Sequence, residues 1–367
     1  MKIAQVAPLH ESVPPKLYGG TERVVSYLTE ELVHMGHQVT LFASGDSLTR
    51  ARLRPQVSRA LRLDERYPDP IPEHFMMLEQ VFREAEDFDV VHFHTDYLHL
   101  PLASRANISH VTTLHGRLDV PHIHRLFHGF RNLPFISISD AQRTPMPWLN
   151  WRRTIHHGLP KDLHTYLQTP QPYLAFLGRI SPEKRPDRAI EIAKRVGLPL
   201  RIAAKIDASD RDYFDSNIRA LLEDPLVEYL GELGEADKGE FLANALALLF
   251  PIDWPEPFGL VMIEAMACGT PVIAFGHGSV PEVIEHGANG YIVNSIDEAV
   301  AAVERLEPQI RRRCRAIFDE RFTARRMAKD HVALYAELME DAHVDKSDIE
   351  RSRAGPLFRP SALGPAR

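Results

Sequence analysis

Short apolar runs alternate with segments of helical period along most of the chain. "KIAQVAP" (residues 2–8) reads as a buried strand ending at Pro8. A loop with Pro14, Pro15, Gly19 and Gly20 follows, and then "TERVVSYLTEELVHMGH" places Val24, Leu28 and Leu32 on one helical face, with Gly36 as its stop. "QVTLFAS" is the next strand, so strand, helix and strand form a parallel unit with a right-handed connection. "DVVHFH", "HVTTLHG" and "PFISISD" continue as strands, and "WRRTIHHGLP" closes this half with a short strand and a turn.

The polar, proline-containing "PKDLHTYLQTPQP" interrupts the pattern, which then restarts. "YLAFLGRI" is predicted as strand, "RPDRAIEIAKRVG" as helix, "PLRIAAKI" and "VEYLGEL" as strands, and "KGEFLANALALLFPI" as helix running into strand. In "PEPFGLVMIEAMACGTPVIAF" a helix is predicted over 262–268, Gly269 stops it, and "PVIAF" is a buried strand. Two successive α/β runs imply two doubly wound domains, and ligands of such sheets bind beyond the carboxyl ends of the strands. The expected division is residues 1–169, residues 170–320, a helix over 321–343 that packs back on the first domain, and a disordered tail over 344–367.

Composition narrows the class. At 367 residues the chain exceeds one ordinary core, and a formal net charge of -7 argues against a nucleic-acid coat protein. Two cysteines, Cys268 and Cys314, exclude a disulfide framework and a cysteine zinc site. "MKIAQVAPLH" turns polar too early for a signal peptide, and no run approaches the roughly 20 apolar residues of a membrane span. A cytoplasmic protein is expected.

The candidate chemistry lies just after strands. Arg179 and Lys184 in "GRISPEKRPD" form a cationic pair beside Gly178, suited to a diphosphate or else a solvated basic turn. Gly19-Gly20 lets a ligand approach the backbone, His115 follows "VTTL", and Lys205 follows "RIAA". Glu256 and Glu264 bracket a helix entrance whose unpaired N–H groups and dipole suit an anion, leaving the carboxylates for hydroxyl groups.

Together, "YGG" (18–20), "LHG" (114–116), "LGRISPEK" (177–184) and "EPFGLVMIE" (256–264) resemble the retaining glycosyltransferases of family 4, with seven residues between the two glutamates. "EAMACGTPVIAF" and "GSVPEVIEHGANGYIV" continue the likeness, which extends to about residue 340. The resemblance implies the GT-B fold, with two Rossmann-like domains facing across a cleft, and a nucleotide-sugar donor held mainly by the second. By position, Arg179 and Lys184 would hold the diphosphate, and Glu264 the ribose. Glu256 and the backbone of Phe258, Gly259 and Leu260 would meet the donor sugar and phosphate. Gly19-Gly20 would close over the diphosphate, with His115 beside the transferred sugar. The implied catalytic set is His115, Glu256, Arg179 and Lys184; one departure is Arg185, where many relatives have Gly.

The resulting expectation is hexose transfer from a nucleotide diphosphate sugar, UDP-glucose first, to an unidentified acceptor hydroxyl. Alternatives are a sugar-nucleotide epimerase of the same fold and a non-catalytic nucleotide-sugar binding module. A two-carboxylate hydrolase ranks lower, and the loop after the first strand is not a dinucleotide-binding turn. Histidine-rich "HFHTDYLH" and "HIHRLFH" raise a metal reading, but no spacing marks a third ligand beside His92 and His94, and neither metal nor cofactor is expected. "LTRARLRPQVSRALRLDER" has six arginines against two acids. A solvated loop and helix face is the favoured reading, and contact with an acidic acceptor or the inner membrane surface is the alternative.

Overall fold

The computed structural model describes residues 1–16 and 19–353; Tyr18 lies outside them. The first sheet comprises β1 (Lys2–Val6), β2 (Gln38–Ala43), β3 (Arg52–Pro55), β4 (Val90–Phe93), β5 (His110–Thr113), β6 (Phe135–Ser137) and β7 (Trp151–Thr154). Its helices are α1 (Gly20–His34), α2 (Ile71–Arg83), α3 (Leu100–Ala103), α4 (Pro121–Gly129) and α5 (Asp140–Arg143). The second sheet comprises β8 (Leu174–Arg179), β9 (Leu200–Lys205), β10 (Val227–Gly231), β11 (Ala247–Phe250), β12 (Val272–Phe275) and β13 (Gly290–Val293). With it come α6 (Pro186–Val196), α7 (Arg211–Tyr213), α8 (Glu235–Asn244), α9 (Leu260–Ala267), α10 (Val280–Val283) and α11 (Ile296–Glu304). The last two helices are α12 (Ile310–Arg321) and α13 (Ala324–Arg353).

Every strand pair is parallel, in the orders β3-β2-β1-β4-β5-β6-β7 and β10-β9-β8-β11-β12-β13. Both orders reverse at an internal strand, between β1 and β4 and between β8 and β11, and such switch points form ligand crevices. Val24, Leu28 and Leu32, the expected face of α1, are all buried.

Two readings of local structure change. The Arg-rich stretch contains an edge strand, β3, because Leu53 alternates with Arg52 and Arg54 against β2. Of its six arginines, five hold internal acids: Arg50 with Glu30, Arg54 with Glu84, Arg59 and Arg66 with Asp64, and Arg62 with Glu11. Helix α13 runs to Arg353, past the expected end at 343. Apolar periodicity stops near 343, but "VDKSDIERSR" has no glycine or proline to end a helix; the rest of the expected tail, 354–367, lies outside the described residues.

The chain passes between the domains twice, side by side. Leu159 N–H donates to Phe322 O at 2.9 Å and Ala324 N–H to Leu159 O at 2.7 Å. A Cβ on Gly158 would lie 2.3 Å from Thr323 O, so the close crossing requires glycine there. Before the second crossing α12 stays against α9, whereas beyond it α13 packs on α1 and β4 of the first domain. No described helix is long and apolar enough to cross a membrane.

Candidate active site

A cavity of about 390 Å³ opens between the carboxyl ends of the two sheets. All ten site residues expected from the sequence line it: Gly19, Gly20, His115, Arg179, Lys184, Glu256, Phe258, Gly259, Leu260 and Glu264. They come from four separated segments, and the facing switch points bring them together.

The second-domain wall is built around the entrance of α9. Gly259 adopts φ 76°, a conformation that strains any residue with a Cβ, so this turn favours glycine. Ser279 pins the preceding loop: its N–H donates to Glu256 O and its hydroxyl to Phe258 O, both at 2.9 Å. Asp253 N–H donates to Glu183 O at 2.9 Å, tying this loop to the turn that carries Lys184. The helix therefore begins at Leu260, and Glu264 falls in its second turn, deeper than its expected position near the entrance. Across the cleft, a Cβ on Gly20 would still clear Leu260 Cδ1 at 3.7 Å, so the glycine loop faces the start of α9.

Cations dominate the cavity. Arg23, Arg179, Lys184, Lys205 and Lys238 line it, against Glu232, Glu256 and Glu264. Lys184 pairs with Glu256 and lies over the Trp254 ring, 5.0 Å from its centroid. Arg179 is held by Glu183, by Asp210 at 3.3 Å and by Asp207 at 3.5 Å. Glu264 is buried and contacts Lys238 at 2.8 Å and Arg23 at 3.6 Å. Burial alone would raise its pKa, but Lys238, Arg23 and His164 outweigh that and hold it down to about 2. Glu264 is therefore an ionised hydrogen-bond acceptor.

Lys238 and Arg23 were not among the sequence candidates. Arg23 stands in the first turn of α1, four residues after Gly19, a position that helical spacing could have flagged. Lys238 carries no motif; only the packing of α8 beside α9 brings it to Glu264. His157, read as part of a structural turn, lines the cavity with its ring stacked on His115 at 5.3 Å.

His92 and His94, weighed as a metal-ligand pair, spend all four ring nitrogens on protein partners: Tyr335, Thr113, His115 and Gln5. His164, Glu235 and Glu264 converge closely enough to hold a cation. Lys238 already bridges that cluster, 3.0 Å from Glu235 and 2.8 Å from Glu264, with Arg23 2.9 Å from Glu235. Ammonium and guanidinium groups thus take the place of an ion.

Two parallel sheets with facing switch points and a cationic cleft between them define a two-domain α/β architecture whose ligand site lies between the domains. The family model for glycosyl transferases group 1 matches residues 165–317, and that for glycosyltransferase family 4 matches residues 18–175. The chain belongs to the family 4 glycosyltransferases, with the GT-B fold. It is similar to the D-inositol 3-phosphate glycosyltransferase of Mycolicibacterium smegmatis, at 30% identity over 251 residues, 61% of this chain and 54% of that one. The chain thus spans about half the length of that curated relative. Among solved structures, AviGT4, a glycosyltransferase involved in avilamycin A biosynthesis, aligns at 25% identity with TM-score 0.71, covering 92% of this chain and 98% of that one. An Anabaena protein, HepE, solved with UDP and glucose, shares the fold at 19% identity with TM-score 0.70, covering 92% and 100%.

Proposed function

We propose that the protein transfers a hexose, with retention, from a nucleotide diphosphate sugar of the UDP-glucose type to an acceptor hydroxyl. One observation carries this reading: the Arg179–Lys184 pair and the entrance of α9 face Gly19-Gly20 across a single cavity, with ionised Glu264 one turn below. The diphosphate fits the cations and backbone N–H groups, and the ribose hydroxyls fit the Glu264 carboxylate. HepE was solved with UDP and glucose, which favours a uridine donor as the first to test.

The chemistry follows from where charge develops. As the bond from the anomeric carbon to the phosphate oxygen breaks, its electron pair leaves with the diphosphate. Arg179 and Lys184 are pre-positioned by acidic partners to stabilise that charge without reorganisation. The acceptor oxygen attacks from the same face, and its proton passes to the departing phosphate oxygen. Glu256, anchored to Lys184, orients that lysine and the sugar and is not the nucleophile. The acceptor enters from the first domain. Internal pairing of its Arg-rich stretch favours the solvated-face reading there.

The test is a panel of UDP-, GDP- and ADP-sugars read by melting temperature and nucleotide release. A donor at 100 times its dissociation constant should add about 2.7 kcal/mol of stability. Glu264→Ala should abolish that response. Turnover should persist in EDTA, because side-chain cations neutralise the leaving group; loss of turnover on chelation would point to a metal-dependent mechanism. If no donor protects the wild type, the transferase reading fails and a binding module for another ligand replaces it. Formation of an epimerised nucleotide sugar instead would favour the epimerase.

A further inference from the structure

Beneath His115 runs a hydrogen-bonded chain of buried side chains that reaches from the cleft to α13. His115 Nε2 meets His94 Nδ1 at 2.9 Å, and His94 Nε2 meets Gln5 Oε1 at 2.8 Å. The Gln5 amide donates to Tyr335 Oη at 3.1 Å, which meets His92 Nδ1 at 2.7 Å. His92 Nε2 ends the chain at Thr113 Oγ1, also at 2.7 Å. Gln5, His92, His94 and Tyr335 are at most 1% exposed, so water does not intervene. Burial holds the His92 and His94 rings well below their ordinary range and that of His115 down to about 3, so each ring is neutral with one N–H.

With one proton per ring, the chain has a direction, and Gln5 sets it. Its carbonyl faces His94, so His94 carries its proton on Nε2 and accepts at Nδ1. His115 then donates from Nε2, and its Nδ1 is left as a bare lone pair. That atom is buried and has no hydrogen-bond partner, although His115 lines the cavity. Turning the Gln5 amide over would reverse every bond and give His115 an Nδ1–H. The orientation of one amide, set 89 residues away from His94, thus decides whether His115 accepts or donates.

We propose that Gln5 is a positioning residue that, through His94, makes His115 present Nδ1 as a hydrogen-bond acceptor to a hydroxyl of the sugar bound in the cleft. The sugar hydroxyl is the donor that this buried nitrogen lacks. The inference rests on the transferase reading for its ligand, but not for the proton arrangement itself. Tyr335 anchors the far side of the amide, which gives α13 a part in the site despite its distance from the donor-binding loops.

Imidazole ¹⁵N correlation spectra of the ligand-free protein report the arrangement directly, with the His115 signals assigned by their loss in His115→Asn. The expected result is a protonated Nε2 and a bare Nδ1 on His115. Gln5→Met removes the director, so His115 should become a mixture of tautomers and kcat/KM should fall about tenfold, the effect of one lost hydrogen bond. Gln5→Glu accepts from His94 just as the amide carbonyl does, so it should restore the single tautomer and most of the activity. It should do so despite a lower melting temperature than Gln5→Met, because it buries a carboxylate. A merely structural role predicts activity that follows melting temperature. A protonated Nδ1 in the wild type, or full turnover in Gln5→Met, overturns the proposal. If no donor sugar is turned over at all, the transferase reading fails while the spectrum still decides the proton arrangement.

Discussion

Glu22 shows how much a single carboxyl depends on its surroundings. It sits in the first turn of α1, 6% exposed, with its Oε2 3.2 Å from where a Gly19 Cβ would stand. Burial pushes it up to about 7 from an ordinary 4.5. The folded state therefore binds a proton more tightly than the unfolded chain does, and stability falls as pH rises from 4.5 through 7. Glu22→Gln is expected to stabilise the protein by up to about 3 kcal/mol at pH 8 and by little at pH 4, measured by urea unfolding at both. Lys238 presents the opposite case. Replacing it with Met leaves Glu264 short of a buried partner and should cost about 3 kcal/mol, with much of that recovered in Lys238→Met/Glu264→Leu. If the double variant is no more stable than the single, Lys238 acts through packing and not through charge. Glu264 was legible from its motif, whereas the lysine that keeps it ionised was not. Motifs mark chain-local pattern; the Lys238–Glu264 contact is made between α8 and α9 by packing.

Among the elements, the turn from β8 into α6 explains a departure noted in the sequence. Arg185 follows Lys184 with φ 51° and ψ 53°, a left-handed conformation that favours glycine. Its guanidinium pairs with Asp187 at 2.7 Å and Asp253 at 3.0 Å, which offsets the backbone cost. Arg185→Gly should therefore change stability by less than about 1 kcal/mol, whereas Arg185→Ala, which keeps the strain and loses the pairs, should cost about 1 kcal/mol. Equal losses in thermal unfolding would show that the conformation carries no penalty. Most of the alternating strands and helices were readable at this scale, because apolar period and turn residues are local signals. β3 was not, because its arginines hide a one-sided strand at the sheet edge. The end of α13 was missed for a related reason: polar helix formers continue a helix without any apolar period.

At the scale of the molecule, the two domains are joined by a carboxylate. Glu282, from the second domain, accepts from the backbone N–H groups of Asp140 and Ala141 at 2.8 Å each and meets His156 Nε2 at 3.0 Å. These contacts tie α10 to α5 and to the interdomain crossing. Glu282→Ala should loosen closure, raising the radius of gyration in small-angle scattering and weakening donor protection. An unchanged scattering profile with unchanged donor affinity would show that the chain crossings at Leu159 and Thr323 hold the domains unaided.

The sequence by itself determined the two α/β runs, the glycine and proline turns, and ten of the residues that line the cleft. Each of those depends on period, backbone conformation or a motif only a few residues long. Only the tertiary structure decided that Arg23 and Lys238 flank Glu264, and that Gln5 and Tyr335 stand behind His115. It also decided that Glu282 bridges the domains. Those are contacts between residues as many as 330 positions apart, as from Gln5 to Tyr335. Parallel pairing and the return of α13 bring them together, and no local pattern encodes that meeting.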